Sequence, residues 1–357
     1  MRKVVLQLIL FLGRYAILPV VVVAFAIFFA WFVVLDDFPR LALLLAPLAL
    51  PLAPISAALA VGLLLVPNPR TPGYCVDEQS APRLWSIWRE FDKTSVLLKR
   101  ELLIGSDLDA SIGERRNFFG LMRAQLTLKL GLTLLMVLDE RAIRAVIAHE
   151  VAHAKFQHTS GGVKLYDFLE ASENLFEYAD PDNTIIGGIA RRLLDFFLRY
   201  IWKEYVTLLH KNEFAADSES AKSVGRYEAA RALILVYVSA KRIDELITPL
   251  YEKELLGAIE APAPPLERIV NQLDSICSLE MIDGITNELM AIQQDDDASH
   301  PSLRARLANL GFSEVPEIDS ISASAFDSVL PRETATKLLD DFNNDWRRLA
   351  NSMVQIN

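Results

Sequence analysis

Cysteine is nearly absent from this chain: Cys75 and Cys277 are the only two in 357 residues. They form no Cys-x-x-Cys pair, so neither a disulfide framework nor a thiolate zinc site is indicated, and a reducing compartment fits. Positive charge is also short. Lys and Arg total 36 against 46 Asp and Glu, a formal net charge of -10. A face built for phosphates needs a surplus of cations, so nucleic acid is excluded as the main partner. There is no internal repeat. Histidine is scarce, five in all, which makes any cluster of them informative.

Apolar residues are what the chain has in excess, 52% with a mean hydropathy of +0.25. The excess sits in the first 66 residues. Residues 15–35, "YAILPVVVVAFAIFFAWFVVL", carry no charge and are long enough to cross a bilayer core as a helix, which takes about 20 residues. Residues 41–66 are a second uncharged run, with prolines at 47, 51 and 54 that are better tolerated inside a membrane than in a soluble helix. The two runs, joined by "DDFPR", read as a transmembrane hairpin. A secretory signal peptide with "AFA" (24–26) as its cleavage site fits less well, because Arg14 interrupts the apolar core and a second span follows at once. Arg2, Lys3 and Arg14 precede the first span, Arg70 and Arg83 follow the second, and the connecting loop offers Arg40 alone. By the positive-inside rule both flanks, and the rest of the chain, face the cytoplasm.

The expected organisation is a hairpin over 1–66, a Pro-rich linker over 67–83, a main domain over 84–310 and a helical cap over 311–357. The pattern predicts helix from Leu84 through "LWSIWREFDKTSVLLKREL" and strand-like structure between 102 and 137. A helix opening at an Asp139 cap with an acidic first turn comes next, and the remainder is mostly helical, broken at "PDN" (181–183) and "APAPP" (261–265). The fold class is therefore mainly α with a small β-sheet. Residues 184–217 hold too many charges for a third span and read as an amphipathic helix.

Three of the five histidines lie in "AVIAHEVAHAKFQH", residues 145–158. His149 and His153 frame Glu150 as His-Glu-x-x-His. At about 100° per residue the two histidines lie about 40° apart on one helix face, so both can reach one zinc ion while Glu150 holds and deprotonates a water. A third-histidine zinc protease needs glycine at 156 and histidine at 159; Phe156 and Thr159 stand there instead. On a continuing helix His158 lies about 180° from His149 and faces away. The other arrangement takes a glutamate from a later helix. "LLHKNEFAADSESA" supplies Glu213, with Asp217 four residues on and on the same face, suited to hold a ligand histidine by its free ring N–H. His210 could also face the metal, but three ligands and a water already fill a catalytic site. A closed, purely structural zinc site with His158 or His210 as fourth ligand is the competing arrangement.

"LGLTLLMVLDERAIRAVIAHEVAHAKFQH", "NEFAAD" and "SHPSLRARLANLG" follow one another in the order found in the HtpX/CAAX-prenyl-protease family of membrane-associated zinc metallopeptidases, and the chain resembles that family over roughly residues 100 to 310. The resemblance implies a zincin-like domain behind the hairpin and one zinc ion held by His149, His153 and Glu213. It also implies Glu150 as general base and Asp217 as support for the ligands. His300, from the His-Pro motif, would stabilise the oxyanion, and Arg306 would brace the Glu213/Asp217 region. The expected activity is that of a membrane-anchored endopeptidase, its polypeptide substrate bound along an edge strand, in a bacterial inner membrane with the catalytic domain in the cytoplasm. The alternative is a non-catalytic membrane adaptor on the same fold. The family's edge strand often carries an Asn-Ala element where this chain has "DLDASIGE", its larger members have more spans, and the tail from about 311 has no family signature.

Overall fold

The computed structural model describes residues 2–50, 72–93, 98–117, 122–160, 168, 185–248, 254, 262–292, 298, 300–321 and 323–354, with backbone alone at some positions, His158 among them. In chain order the described helices begin with α1 (Arg2–Leu12), α2 (Leu18–Asp37), α3 (Pro39–Ala49) and α4 (Pro82–Phe91). The middle of the chain holds α5 (Leu132–Val137), α6 (Glu140–Ser160), α7 (Ile185–Val224) and α8 (Arg226–Leu246). Then come α9 (Pro265–Asn271), α10 (Leu273–Ile276), α11 (Leu279–Ala291), α12 (Leu303–Asn309), α13 (Ala325–Val329) and α14 (Arg332–Val354). Four strands, β1 (Tyr74–Cys75), β2 (Lys99–Gly105), β3 (Ala110–Asn117) and β4 (Met122–Gly131), form one mixed sheet in the order β1-β2-β4-β3. The chain is thus mainly helical with a small sheet, as the sequence pattern predicts. It divides into two compact units, Met1–Pro69 with Gln157–Leu208, and Arg70–Phe156 with Leu209–Asn357.

In the first unit, α2 is 20 residues long and uncharged from Leu18 to Leu35. The chain leaves helical geometry at Phe38 (φ -136°, ψ 67°), and Trp31 Nε1–H donates to Ala42 O across the turn at 2.7 Å. Large apolar side chains stand in the open on both helices, among them Val22, Phe25, Phe29 and Phe32 of α2 and Leu43 and Leu44 of α3. Among the described residues, no helix is long and apolar enough to cross a membrane. Residues 51–66, most of the expected second span, lie outside the described residues, as does the break expected at 181–183. A small core of Leu6, Ile9, Phe168 and Ile201 holds α1 against the first half of α7.

The second unit has one core. Leu102 and Ile104 of β2 pair in parallel register with Leu128 and Leu130 of β4, and all four are fully buried. Leu84, Ile87 and Trp88 of α4 and the five apolar residues of α5 pack with them. The helix expected from Leu84 stops at Phe91, because the apolar residues from Leu102 onward enter the β2–β4 ladder. The strand-like reading of 102–137 ends at Gly131. Leu132–Val137 is a helical turn buried on every side, a setting in which apolar periodicity cannot separate strand from helix. Gly131 is required by close approach: a Cβ there would lie 1.8 Å from Asp107 O. Its N–H donates to Asp109 O at 2.8 Å, which fixes the loop leading into β3, the terminal strand of the sheet.

Asp139 starts α6 as the sequence predicts, its Oδ1 accepting from Ala142 N–H at 2.9 Å, which satisfies one of the helix's orphan donors. The same carboxylate receives Arg231 of α8 through Nη1 at 3.0 Å and Nη2 at 2.7 Å. On the other flank of α6, Ser220 Oγ–H of α7 donates to Ala145 O at 2.9 Å. Helix α12 is short but closed at both ends. Ser302 caps its start. At its end Phe312 N–H reaches Leu307 O and Gly311 N–H reaches Ala308 O, with Gly311 at φ +86°, the paired closure that favours glycine.

Candidate metal centre

The second unit brings together His149, Glu150 and His153 from α6, Glu213 and Asp217 from α7, and Arg306 from α12, with His300 just ahead of α12. The i, i+4 spacing stacks the histidines on one face of α6, their rings edge to face with centroids 4.5 Å apart. Glu213 and Asp217 use the same spacing on α7. His149 Nε2 and His153 Nε2 are 2.9 Å apart, His149 Nε2 is 3.6 Å from Glu213 Oε2, and His153 Nε2 is 3.3 Å from Glu213 Oε1.

These separations test whether a metal fits. Three ligand atoms each about 2.0–2.1 Å from one tetrahedral zinc ion stand about 3.3 Å from one another, and the three distances bracket that value. Two ring nitrogens aimed at each other beside a carboxylate are a donor set waiting for a cation, not a self-sufficient hydrogen-bond pair. One ligand atom from each of His149, His153 and Glu213 lies within 4.8 Å of the others, and no other such metal-capable group occurs among the described residues.

The surrounding polar groups orient this trio. Asp217 Oδ1 accepts from His149 Nδ1–H at 3.1 Å, which leaves Nε2 turned toward His153 and Glu213. Arg306 closes a fork on Asp217, with Nε at 2.8 Å and Nη2 at 2.6 Å, and the same Nη2 is 3.1 Å from Glu213 Oε2. Arg306 stacks over the Tyr237 ring at 6.0 Å. Tyr237 is a residue that spacing and motif reasoning misses, since nothing local in the sequence marks it. Asn309 adds a bond to Phe214 O at 2.9 Å, fastening α12 to α7.

The electrostatics follow from burial working against these partners. Burial by itself raises the Glu213 carboxyl, but hydrogen bonds from His149, His153 and His300, with Arg306 beside it, outweigh that and hold it far below the usual range. Asp217 follows the same pattern, its burial overcome by Arg306 and His149. For His149 burial favours the neutral ring, yet the bonds to Asp217 and Glu213 win and push it up to about 9. The Glu150 carboxyl is pushed up, by burial first, against the pull of the two imidazoles. That is the direction that brings a carboxylate toward proton exchange near neutrality.

His300 is placed differently. Its Nδ1 is 3.4 Å from Glu213 Oε1, yet 66% of its side chain is exposed where Glu213 shows only 9%. His210, three residues before Glu213, directs Nε2 to Ala298 O at 2.8 Å and does not join the metal-capable group. α6 continues through His158, whose side chain lies outside the described residues. The structure thus brings together His149, His153, Glu213, Asp217, Arg306 and, at the rim, His300.

With this geometry in hand, comparison with known proteins gives two findings. A family model, Peptidase family M48, matches residues 117–312, a stretch that includes every residue of the cluster. Among solved structures the chain is similar to the crystal structure of S. mikatae Ste24p, at 19% identity and a TM-score of 0.35, covering 83% of this chain and 63% of that one. The chain therefore spans less than two thirds of that protein's length. No curated protein matches it.

Proposed function

The chain belongs to peptidase family M48, and from that premise we propose that it is a membrane-anchored, zinc-dependent endopeptidase that cleaves protein substrates. The resemblance drawn from the three sequence motifs is borne out at the level of the family. What carries the finer reading is the convergence of two imidazole nitrogens and one carboxylate at the spacing of a single metal ion, backed by a buried Asp–Arg pair.

His149, His153 and Glu213 would hold one zinc ion, and Asp217 would fix the tautomer and aim of His149. A bound zinc supplies a Lewis acid and makes water acidic enough to ionise near neutral pH. Glu150 accepts the proton of the attacking water and returns it to the leaving amine, which its raised carboxyl suits. His300, exposed at the rim and free to face an incoming chain, donates to the oxygen that gains charge as the peptide carbonyl is attacked. Arg306 keeps Glu213 and Asp217 ionised side by side.

The substrate would add to the open edge of β3, pairing main chain to main chain with little demand on side chains. β3 begins at Ala110, inside the "DLDASIGE" segment, and lies at the end of the sheet order. Misfolded or membrane proteins are the substrate class that such tolerant pairing suits. The membrane anchor would be the hairpin of residues 1–66. Its support is α2, uncharged from Leu18 to Leu35, with exposed Val, Ile and Phe along that stretch, since soluble surfaces rarely carry so large an apolar face. In this reading the cationic flanks favour the cytoplasmic side for the catalytic domain, residues 84–310 with a cap over 311–357, and the membrane would be a bacterial inner membrane.

Glu150→Gln decides between enzyme and adaptor. The variant should keep one zinc per chain and lose at least about 100-fold in casein cleavage, the scale of a lost general base. Equal cleavage by wild type and variant would overturn the assignment of Glu150. Absence of cleavage in both, with zinc bound, would favour an adaptor that keeps the fold.

A further inference from the structure

The exposed imidazole of His300 raises a question of placement, because a side chain held by burial needs no other support and this one is not buried. Its backbone is anchored on both sides. Before it, the ring Nε2–H of His210 on α7 donates to Ala298 O at 2.8 Å. After it, the Tyr237 hydroxyl on α8 donates to Pro301 O at 2.9 Å. Each bond removes freedom from the backbone on one side of His300, so together they restrict the point from which its side chain projects. Tyr237 also lies under Arg306. His210 makes its bond from the helix that carries Glu213, so one rigid element sets both Glu213 and the segment from which His300 reaches to within 3.4 Å of it.

We propose that His210 is a positioning residue: by holding Ala298 O it fixes the backbone that aims His300 at the reacting carbonyl. The assignment rests on the reading of His300 as the donor to the developing oxyanion. It also accounts for a histidine so near the metal ligands that is not one of them. The Nε2 that a metal would take is committed to a carbonyl, and the carbonyl can only accept, so the ring must keep its proton there. A shift of about 1 Å in a group that touches the transition state costs on the order of 100-fold, so a missing anchor on a segment still held at Pro301 should cost part of that.

The test uses the full-length chain in detergent, loaded with zinc, with casein as substrate. His210→Ala should keep one zinc per chain and a melting temperature close to wild type. Its kcat should fall about 10-fold with KM within about twofold, the pattern of an interaction made in the transition state. His210→Gln, which retains an N–H donor, should recover most of kcat. In a His300→Ala background His210→Ala should lower kcat by less than about twofold, since residues acting as one unit are not additive. Hydrogen exchange across residues 298–303 should quicken about 10-fold or more in His210→Ala and return toward wild type in His210→Gln, while exchange along α6 is unchanged. Loss of zinc in His210→Ala, multiplicative losses in the double variant, or unchanged exchange would each overturn the proposal. If wild type fails to cleave casein, the peptidase reading falls by itself, and exchange still decides whether His210 holds the segment.

Discussion

Asp217→Asn isolates the group that orients the metal ligands without touching the metal position. Asp217 accepts Arg306 twice, at 2.8 and 2.6 Å, and His149 Nδ1 once, at 3.1 Å. Asparagine keeps the shape but leaves one acceptor oxygen: at the Oδ1 position it still serves His149 Nδ1 and Arg306 Nη2, without the carboxylate charge, and sets its NH2 against Arg306 Nε; at the Oδ2 position it loses both of those bonds. Hydrogen bonds to charged groups contribute about 1.5–3 kcal/mol. Stranding a buried charge altogether costs about 3–5 kcal/mol. Arg306 is not stranded, because Glu213 Oε2 remains 3.1 Å from its Nη2, so the loss of stability in the metal-free protein should sit near the lower figure. Metal affinity should fall about 10- to 100-fold, as for other partners that orient a ligand histidine, which is about 1.4–2.7 kcal/mol. Competition against a chelator at pH 7 measures the affinity, and thermal melting of the metal-free chain measures the stability. A zinc affinity within twofold of wild type beside a lowered melting temperature would refute the idea that the charge of Asp217 strengthens His149 as a ligand, leaving that charge a purely structural partner of Arg306.

Three further outcomes test the scaffold and the anchor. Burial raises the Asp139 carboxyl, but the bonds from Arg231 and Ala142 N–H hold it below the usual range. Its contribution to stability is therefore complete above the unfolded value of about 3.9 and is lost as pH falls through the lower folded value. Melting curves should show this loss only below about pH 4, and Asp139→Ala, which leaves the fully buried Arg231 to Asp319, whose Oδ1 is 2.8 Å from its Nε, should cost about 1.5–3 kcal/mol at pH 7, the worth of a hydrogen bond to a charged group; a change under about 1 kcal/mol would sink the argument. For the anchor, the full chain should stay with membranes through an alkaline carbonate wash, and a chain lacking residues 1–66 should be released; release of the full chain would contradict the hairpin.

Local patterns were legible where a single element carries the information. His149, Glu150 and His153 need only the helical period, and so do Glu213 and Asp217. The Asp139 cap stands next to the run it starts. What the sequence leaves hidden depends on contacts between distant segments. Arg231 meets Asp139 across 92 residues, and no spacing rule links them. Tyr237 holds Pro301 from a helix whose own pattern is ordinary core. The end of α4 at Phe91 and of the strand run at Gly131 were misread for a related reason. Both borders are set by a tertiary partner, the β2–β4 ladder in one case and enclosure on all sides in the other, and neither leaves a change of periodicity in the chain.

Arg306 is the clearest instance of a distant residue setting the chemistry. Glu213 turns Oε1 to His153 and His300, at 3.3 and 3.4 Å, and Oε2 to His149 and Arg306, at 3.6 and 3.1 Å. Asp217 is one helical turn away. Two buried carboxylates so close would ordinarily push one carboxyl upward, since like charges in a poorly solvated site oppose joint ionisation. Both are instead held low, and His149 and the guanidinium of Arg306 are the partners they share, His149 leading for Glu213 and Arg306 for Asp217. Without metal the raised His149 and Arg306 together balance the two carboxylates; once His149 gives up its proton the site carries a single negative charge beside two neutral imidazoles, an environment that attracts a dication. Arg306 thus helps keep the ligand carboxylate ionised; the motif that carries it marks the residue, and the packing of α12 against α7 brings it to Glu213 and Asp217.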